Sequence, residues 1–307
     1  MNRLSSFLNP PRANARNLPG FLGSVSATTS QMPPPRFEFK YRVTESTADL
    51  VRDYVGSFLE VDHYASGSAN NSYPVNSCYL DSHDLQTFWH TVNGARDRYK
   101  LRVRTYDDRP ESPVFFEIKR RVHGRIIKHR GAVRRTSVDA LLGGQMPQSE
   151  DLAAPGHEHF LAVERFVRLM REIDASPTAY VRYQREAWVG PGQSADRVTM
   201  DREVLVWPTS AVRLSADAMT EPARPFGGIV VLEMKFTGQQ PEWLRDLEQL
   251  AGLQRVSAAK YCDGILKHGV DEFTAVNNVP ADPLFAERAD SRRRRTEGLL
   301  LPLPAFA

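Results

Sequence analysis

The stretch Arg98-Tyr99-Lys100-Leu101-Arg102-Val103-Arg104 places a basic residue at every second position. A β-strand sends alternate side chains to opposite faces. Arg98, Lys100, Arg102 and Arg104 then share one face, and Tyr99, Leu101 and Val103 share the other. The like charges stand about 7 Å apart along the strand. Such a row repels itself unless a polyanion or a set of carboxylates lies against it. Taken alone, the stretch also reads as a solvated basic edge strand.

The pattern recurs along the chain. Arg36-Phe37-Glu38-Phe39-Lys40-Tyr41 alternates charged and aromatic residues. Glu117 and Lys119 fall on one face of 114–120, with Phe116 and Ile118 opposite. Lys128 is in phase with Arg130, Arg185 with Tyr183, and Arg197 with Thr199 and Asp201. In 229–236, Leu232, Met234 and Phe236 face a core, while Glu233 and Lys235 lie on the other face of a strand too apolar for solvent. Several strands thus pair an apolar face with a charged one. A closed sheet solves this, with charges pointing into a lumen and helices covering the outside. A lumen of Lys and Arg with a few Glu suits a phosphate chain and its divalent metal.

These residues resemble the vacuolar transporter chaperone (VTC) domain, the polyphosphate polymerase family of the triphosphate tunnel metalloenzyme superfamily. The resemblance rests on an ordered set across residues 36–268. It comprises Arg36-x-Glu38-x-Lys40-Tyr41, Tyr73-Pro74-Val75-x-Ser77-x-Tyr79-x-Asp81 and Arg98-x-Lys100-x-Arg102-x-Arg104-x-Tyr106, followed by Glu117-x-Lys119 and Lys128-x-Arg130. Tyr183-x-Arg185-x-Ala187, Arg197-Val198-Thr199-x-Asp201, Glu233-x-Lys235-Phe236 and Lys260-Tyr261 complete it. Each motif is weak by itself; their order is specific. One position departs: Ala259 stands where the family usually has Ser before the final Lys-Tyr.

The resemblance implies an α+β fold, an antiparallel β-barrel tunnel with flanking helices. It implies transfer of the terminal phosphoryl of ATP to a growing polyphosphate chain, with Mn²⁺ or Mg²⁺ as cofactor. Phosphoryl transfer relies on alignment and electrostatic stabilisation more than on a covalent nucleophile. Arg102, Arg104, Lys100, Arg185 and Lys260 are the expected catalytic grip. Lys40, Arg98, Lys119, Lys128, Arg130, Arg197 and Lys235 are the expected phosphate contacts. Glu233 is the first metal-ligand candidate, followed by Glu38 and Glu117. The competing role for all three is charge balance, as ion-pair partners of lumen cations. Lys260 also reads as a solvated helix lysine. Two other functions share the cradle: a tunnel triphosphatase, and a non-catalytic polyphosphate-binding subunit.

Composition narrows the class. The net charge of +3 among 307 residues is far from that of a dedicated nucleic-acid binder. No apolar run approaches the ~20 residues of a membrane span, and the first 35 residues lack an apolar leader core. The expectation is a cytoplasmic enzyme with two reduced, buried thiols, Cys78 and Cys262. Its oligomeric state is open. No phosphate loop, dinucleotide glycine fingerprint or Cys-x-x-Cys pair is present. His157-Glu158-His159 lacks the i, i+4 spacing of a helical metal site and reads as a helix start.

Around the strands, helical spacing predicts helices over 44–59, 85–92, 156–170, 241–250 and 257–268. Asp81 is expected to serve a strand end or turn. Residues 1–35 read as a disordered tail, 36–270 as the tunnel domain, and 271–307 as a second tail carrying the basic run Arg292–Arg295.

Overall fold

The computed structural model describes residues 36–123, 125–192, 194–212 and 221–275. The first expected tail, and the second one beyond residue 275 with Arg292–Arg295, lie outside the described residues.

Among the described residues there are nine strands and seven helices, the strands being β1 (Arg36–Val43), β2 (Glu60–Val61), β3 (Ser72–Asp81), β4 (Arg98–Thr105), β5 (Val114–Val122), β6 (Arg125–Val133), β7 (Ser176–Val189), β8 (Arg197–Pro208) and β9 (Val230–Thr237). Seven helices accompany them: α1 (Glu45–Val55), α2 (Gln86–Val92), α3 (Val138–Leu142), α4 (His157–Glu172), α5 (Glu242–Leu250), α6 (Lys260–His268) and α7 (Val270–Ala275). The sheet runs β1-β9-β8-β7-β3-β4-β5-β6, every neighbouring pair antiparallel, with β2 added on β7. Among the described residues, β1 and β6 share no ladder. The sheet nonetheless curls enough to bring Lys119 on β5, the strand next to the β6 edge, to 3.1 Å from Glu38 on the β1 edge. The tunnel is therefore a curled, half-barrel sheet with an ion pair reaching across it from β5 to β1.

The outer face follows from the period-two pattern. Leu101 and Val103 pack with Phe116 and Ile118 against Val163, Phe166 and Val167 of α4. Gly131 on β6 allows that helix to approach, since a Cβ there would stand 2.3 Å from Val163. Val198, Met200, Leu232 and Met234 pack under α1 and α5, on Val51, Val55, Leu244 and Leu247. Thr44 caps α1 by accepting the Thr47 N–H, and Gly56 ends the helix before the expected position 59.

One end of the tunnel is apolar. There β8 carries a bulge: Glu203, at φ 51°, is an extra residue opposite the 182–184 stretch of β7. The insertion changes the phase of the strand. Thr199 and Asp201 face inward before the bulge; after it, Val204 and Val206 join Val181, Tyr183 and Tyr261 in a buried cluster under α2 and α6. Gly264 lets α6 lie directly on Val206, where a Cβ would meet a methyl at 2.3 Å.

Two boundaries differ from the helical spacing. α6 starts at Lys260, three residues later than expected, because β1 holds residues 256–258 alongside itself. Lys40 donates to the Ala258 carbonyl at 2.9 Å, Arg42 to that of Ser257 at 3.1 Å, and Val256 N–H to the Lys40 carbonyl at 2.8 Å. The fold also continues past residue 270, since α7 buries Phe273 completely.

The two faces of β9 should respond differently to truncation. Met234→Ala is expected to cost about 2–5 kcal/mol in denaturant unfolding, as a core truncation. Lys235→Ala, one residue along, should change stability little.

Candidate active site

Alternation in β1, β4, β5, β6, β7, β8 and β9 turns one charged face of each strand inward. Ten basic side chains meet there: Lys40, Lys100, Arg102, Arg104, Lys119, Lys128, Arg130, Arg185, Lys235 and Lys260. They share the space with four carboxylates: Glu38, Glu117, Asp201 and Glu233.

The carboxylates organise three groups. Glu117 is fully buried and ringed by Arg102 at 2.6 Å, Lys128 at 2.6 Å, Arg130 at 3.5 Å and Arg104 at 3.7 Å. Asp201, also fully buried, takes both forks of Arg185 at 2.6 and 2.7 Å and the Lys260 ammonium at 2.7 Å. Glu233 meets Lys235 at 2.7 Å, Lys40 at 3.2 Å and Lys260 at 3.4 Å. Lys40 also reaches Glu38 at 3.3 Å. Lys260 joins the Asp201 and Glu233 groups, so it is buried in the lumen and is no solvated helix lysine.

Tyrosines line the remaining wall. Tyr183 accepts a hydrogen bond from Arg104 at 3.3 Å, and its ring lies 5.1 Å from Arg185 and 5.0 Å from Lys260. Tyr79 accepts from Arg102 at 3.0 Å and stacks on Tyr261, with ring centroids 4.7 Å apart. Tyr261 in turn donates to Asp81 at 2.7 Å. Asp81 accepts the N–H groups of Thr87 and Phe88, which fixes α2 at the strand end as expected.

Three expected contacts stand apart from these groups. Lys100 lies against the Cys262 thiol at 3.3 Å and 5.4 Å from the Tyr261 ring, with no carboxylate partner among the described residues. Arg98, at the strand's start, donates to the Ala95 carbonyl at 2.5 Å. Arg197 pairs with buried Asp62 at 2.6 Å and reaches the Tyr73 hydroxyl at 3.3 Å. Cys78 and Cys262 are free and buried. His159 is used structurally, its Nδ1 accepting the Ala132 N–H at 3.3 Å.

Electrostatics follow from this crowding. Burial pushes the Glu233 and Glu117 carboxyls up, but the surrounding cations outweigh it and hold both well below the carboxylate range. Glu38 is held at about 2: burial raises it, and Lys119 with Lys40 overcomes that. Lys119 is depressed to about 8 although it faces Glu38, because burial and the neighbouring Lys40 outweigh that one carboxylate. Burial, reinforced by Arg102, also brings Lys128 to about 8. Tyr79 drops to about 8, where Arg102, Arg104 and Lys100 outweigh burial.

Hard divalent ions bind through one or two carboxylates together with waters and substrate phosphates. Glu38 and Glu233, on adjacent strands and joined by Lys40, fit that donor set. Among the described residues no cluster of three or more His, Cys, Asp or Glu exists. The oxygens of Glu117 are already engaged by four cations, which matches charge balance better than ligation.

A curled antiparallel sheet with this lining is a triphosphate tunnel fold. The chain belongs to the VTC domain family, whose model matches residues 35–268. The family points to triphosphate- or polyphosphate-type substrates. No curated protein matches. Among solved structures, a Bacillus halodurans protein provisionally described as an adenylate cyclase shares 11% identity at a TM-score of 0.41, covering 74% of this chain and 94% of its own. A protein of Pyrococcus horikoshii shares 10% identity at 0.37, covering 76% and 99%. No helix among the described residues is long and apolar enough to cross a membrane.

Asp201, Asp62, Tyr183 and Tyr79 were not among the expected site residues. Asp201 had a visible signal, since it lies in phase with Arg197 and Thr199.

Lys119 and Lys128 provide a pH test. Both sit at about 8 in the ligand-free protein, below the ordinary 10.5. Between those values the unfolded chain holds more protons, so their contribution to stability grows as pH rises from about 8. A bound phosphate oxygen favours the ammonium form, so binding should draw in protons near pH 8, and affinity should fall as pH rises through that range. Titration calorimetry with tripolyphosphate in two buffers of different ionisation enthalpy should show this uptake, and it should be smaller in Lys119→Met.

Proposed function

We propose that this chain is an ATP-dependent inorganic polyphosphate polymerase. The observation that carries the reading is the surplus of cations inside the tunnel: ten basic groups against four carboxylates, in a chain of the VTC domain family. Charges buried in this excess call for a polyanion. The basic groups face inward, which favours a narrow phosphate chain over nucleic acid. Free buried cysteines agree with a cytoplasmic setting.

In this reading a terminal oxygen of the polyphosphate chain attacks the γ-phosphorus of ATP. The bond from that phosphorus to the bridging oxygen breaks, and ADP leaves with the electron pair. The transition state spreads charge over three equatorial oxygens. Arg102, Arg104, Lys100, Arg185 and Lys260 align and stabilise them. Lys40, Lys119, Lys128, Arg130 and Lys235 hold the flanking phosphates, and Arg98 and Arg197 contact the chain further out. Glu233 and Glu38 would hold Mn²⁺ or Mg²⁺, which would supply further neutralisation of the phosphoryl oxygens. Tyr183 and Asp201 orient Arg104, Arg185 and Lys260 before the substrate arrives.

A second reading draws on Ala259, which supplies no hydroxyl beside Lys260: a binding subunit without turnover. Incubation with ATP and Mn²⁺, followed by resolution of the products, separates the functions. Long polyphosphate plus ADP supports the polymerase. Free phosphate supports a triphosphatase, and absence of turnover supports the binding subunit. Glu233→Gln should abolish turnover, while metal-free affinity for tripolyphosphate holds or rises because a competing negative charge is gone. Full turnover of that variant would remove Glu233 from the metal site.

A further inference from the structure

Thr199 is completely buried, and its hydroxyl has no hydrogen-bond partner among the described residues. Its orientation follows from register. Thr199 sits opposite Glu233 on β9 and opposite Ala187 on β7. Its neighbours along the strand, Val198 and Met200, belong to the outer core under α1 and α5. The hydroxyl is therefore on the lumen face, with Arg197 two residues before it and Asp201 two residues after. Its diagonal cross-strand neighbours are Lys235 and Val231 on β9 and Arg185 and Val189 on β7.

A buried hydroxyl without a partner is costly, and native proteins rarely leave one. A threonine kept only for packing would be served better by valine, which has nearly the same shape and no hydroxyl. On the β7 side the cross-strand neighbour is Ala187, whose methyl group offers the hydroxyl no partner. Glu233, Lys235 and Arg185 are long side chains held in ion pairs, and an entering polyanion would compete for those pairs, while Val231 and Val189 offer the hydroxyl no acceptor. A group that needs an acceptor thus stands where surplus cations would draw phosphate oxygens.

We propose that the Thr199 hydroxyl is a direct substrate contact, donating a hydrogen bond to a phosphate oxygen seated beside Glu233. This rests on the reading of the tunnel as a polyphosphate site and adds a neutral donor to its cations. A neutral donor differs from the lysines around it: its contribution survives high salt and high pH.

Tripolyphosphate binding by calorimetry, with and without Mn²⁺, tests this in the wild type, Thr199→Val and Thr199→Ser. Thr199→Val should keep or raise the melting temperature, because the orphaned hydroxyl is gone. It should weaken tripolyphosphate binding roughly 10-fold in both the presence and the absence of Mn²⁺. Thr199→Ser should bind within a few-fold of wild type. Unchanged affinity in Thr199→Val, with the wild type binding normally, overturns the contact and leaves the tunnel reading intact. So does a loss confined to the Mn²⁺ arm, which would move the hydroxyl to the ion's shell. Failure of the wild type to bind tripolyphosphate overturns the tunnel reading itself, and this contact with it.

Discussion

Ten cations and four carboxylates face one inner space, several of the pairs deeply buried and Lys128, Lys119 and Arg130 at its wetter side, and the rest of the structure depends on keeping them there. Ion pairs in such a space offset much of their own desolvation and give little net stability. The fold must therefore be held from elsewhere. The outer face does this: Leu101, Val103, Phe116, Met200, Leu232 and Met234 bury completely or nearly so under α1, α4 and α5. Apolar burial outside carries an unfavourable charge distribution inside. The carboxylates do not neutralise the cations; they space and orient them. Glu117 keeps four basic groups converged without cancelling them, and Asp201 holds Arg185 by both forks.

This arrangement also explains the depressed lysines. Where cations outnumber anions, burial and like-charge repulsion overtake pairing, as at Lys119 and Lys128. The same residues then gain most from an arriving phosphate. On the proposed reading, a ligand that supplies negative charge would convert this repulsion into binding. The curl of the sheet draws on the same charges, since Lys119 on β5 and Glu38 on β1 meet at 3.1 Å although their strands share no ladder.

Much of this was legible in the sequence, because period-two alternation states which side chains share a face. The inward row of β4 and the Glu233–Lys235 pair followed from alternation alone, and the outer core was its complement. What alternation cannot state is who stands opposite. The ring of four cations around Glu117 depends on the register of β4, β5 and β6, and the Arg185–Asp201 fork on that of β7 and β8. The bulge at Glu203 changes phase within a strand, so no fixed period could carry it through to Val204 and Val206. The start of α6 was misplaced for a related reason. Residues 256–258 have helical spacing, but β1 binds their backbone as an extended segment, a tertiary preference that local pattern does not encode.

The central claim is that the lumen is an incomplete charge set awaiting a polyphosphate. Thermal unfolding in increasing tripolyphosphate, at fixed ionic strength and beside orthophosphate as the short-anion control, tests it most directly. Linkage requires the melting temperature to rise with the logarithm of ligand concentration once the site is saturated. The account predicts a steep rise for tripolyphosphate and a much smaller one for orthophosphate, because only the longer anion spans several of the cation groups. A melting temperature that does not move at saturating tripolyphosphate would contradict it.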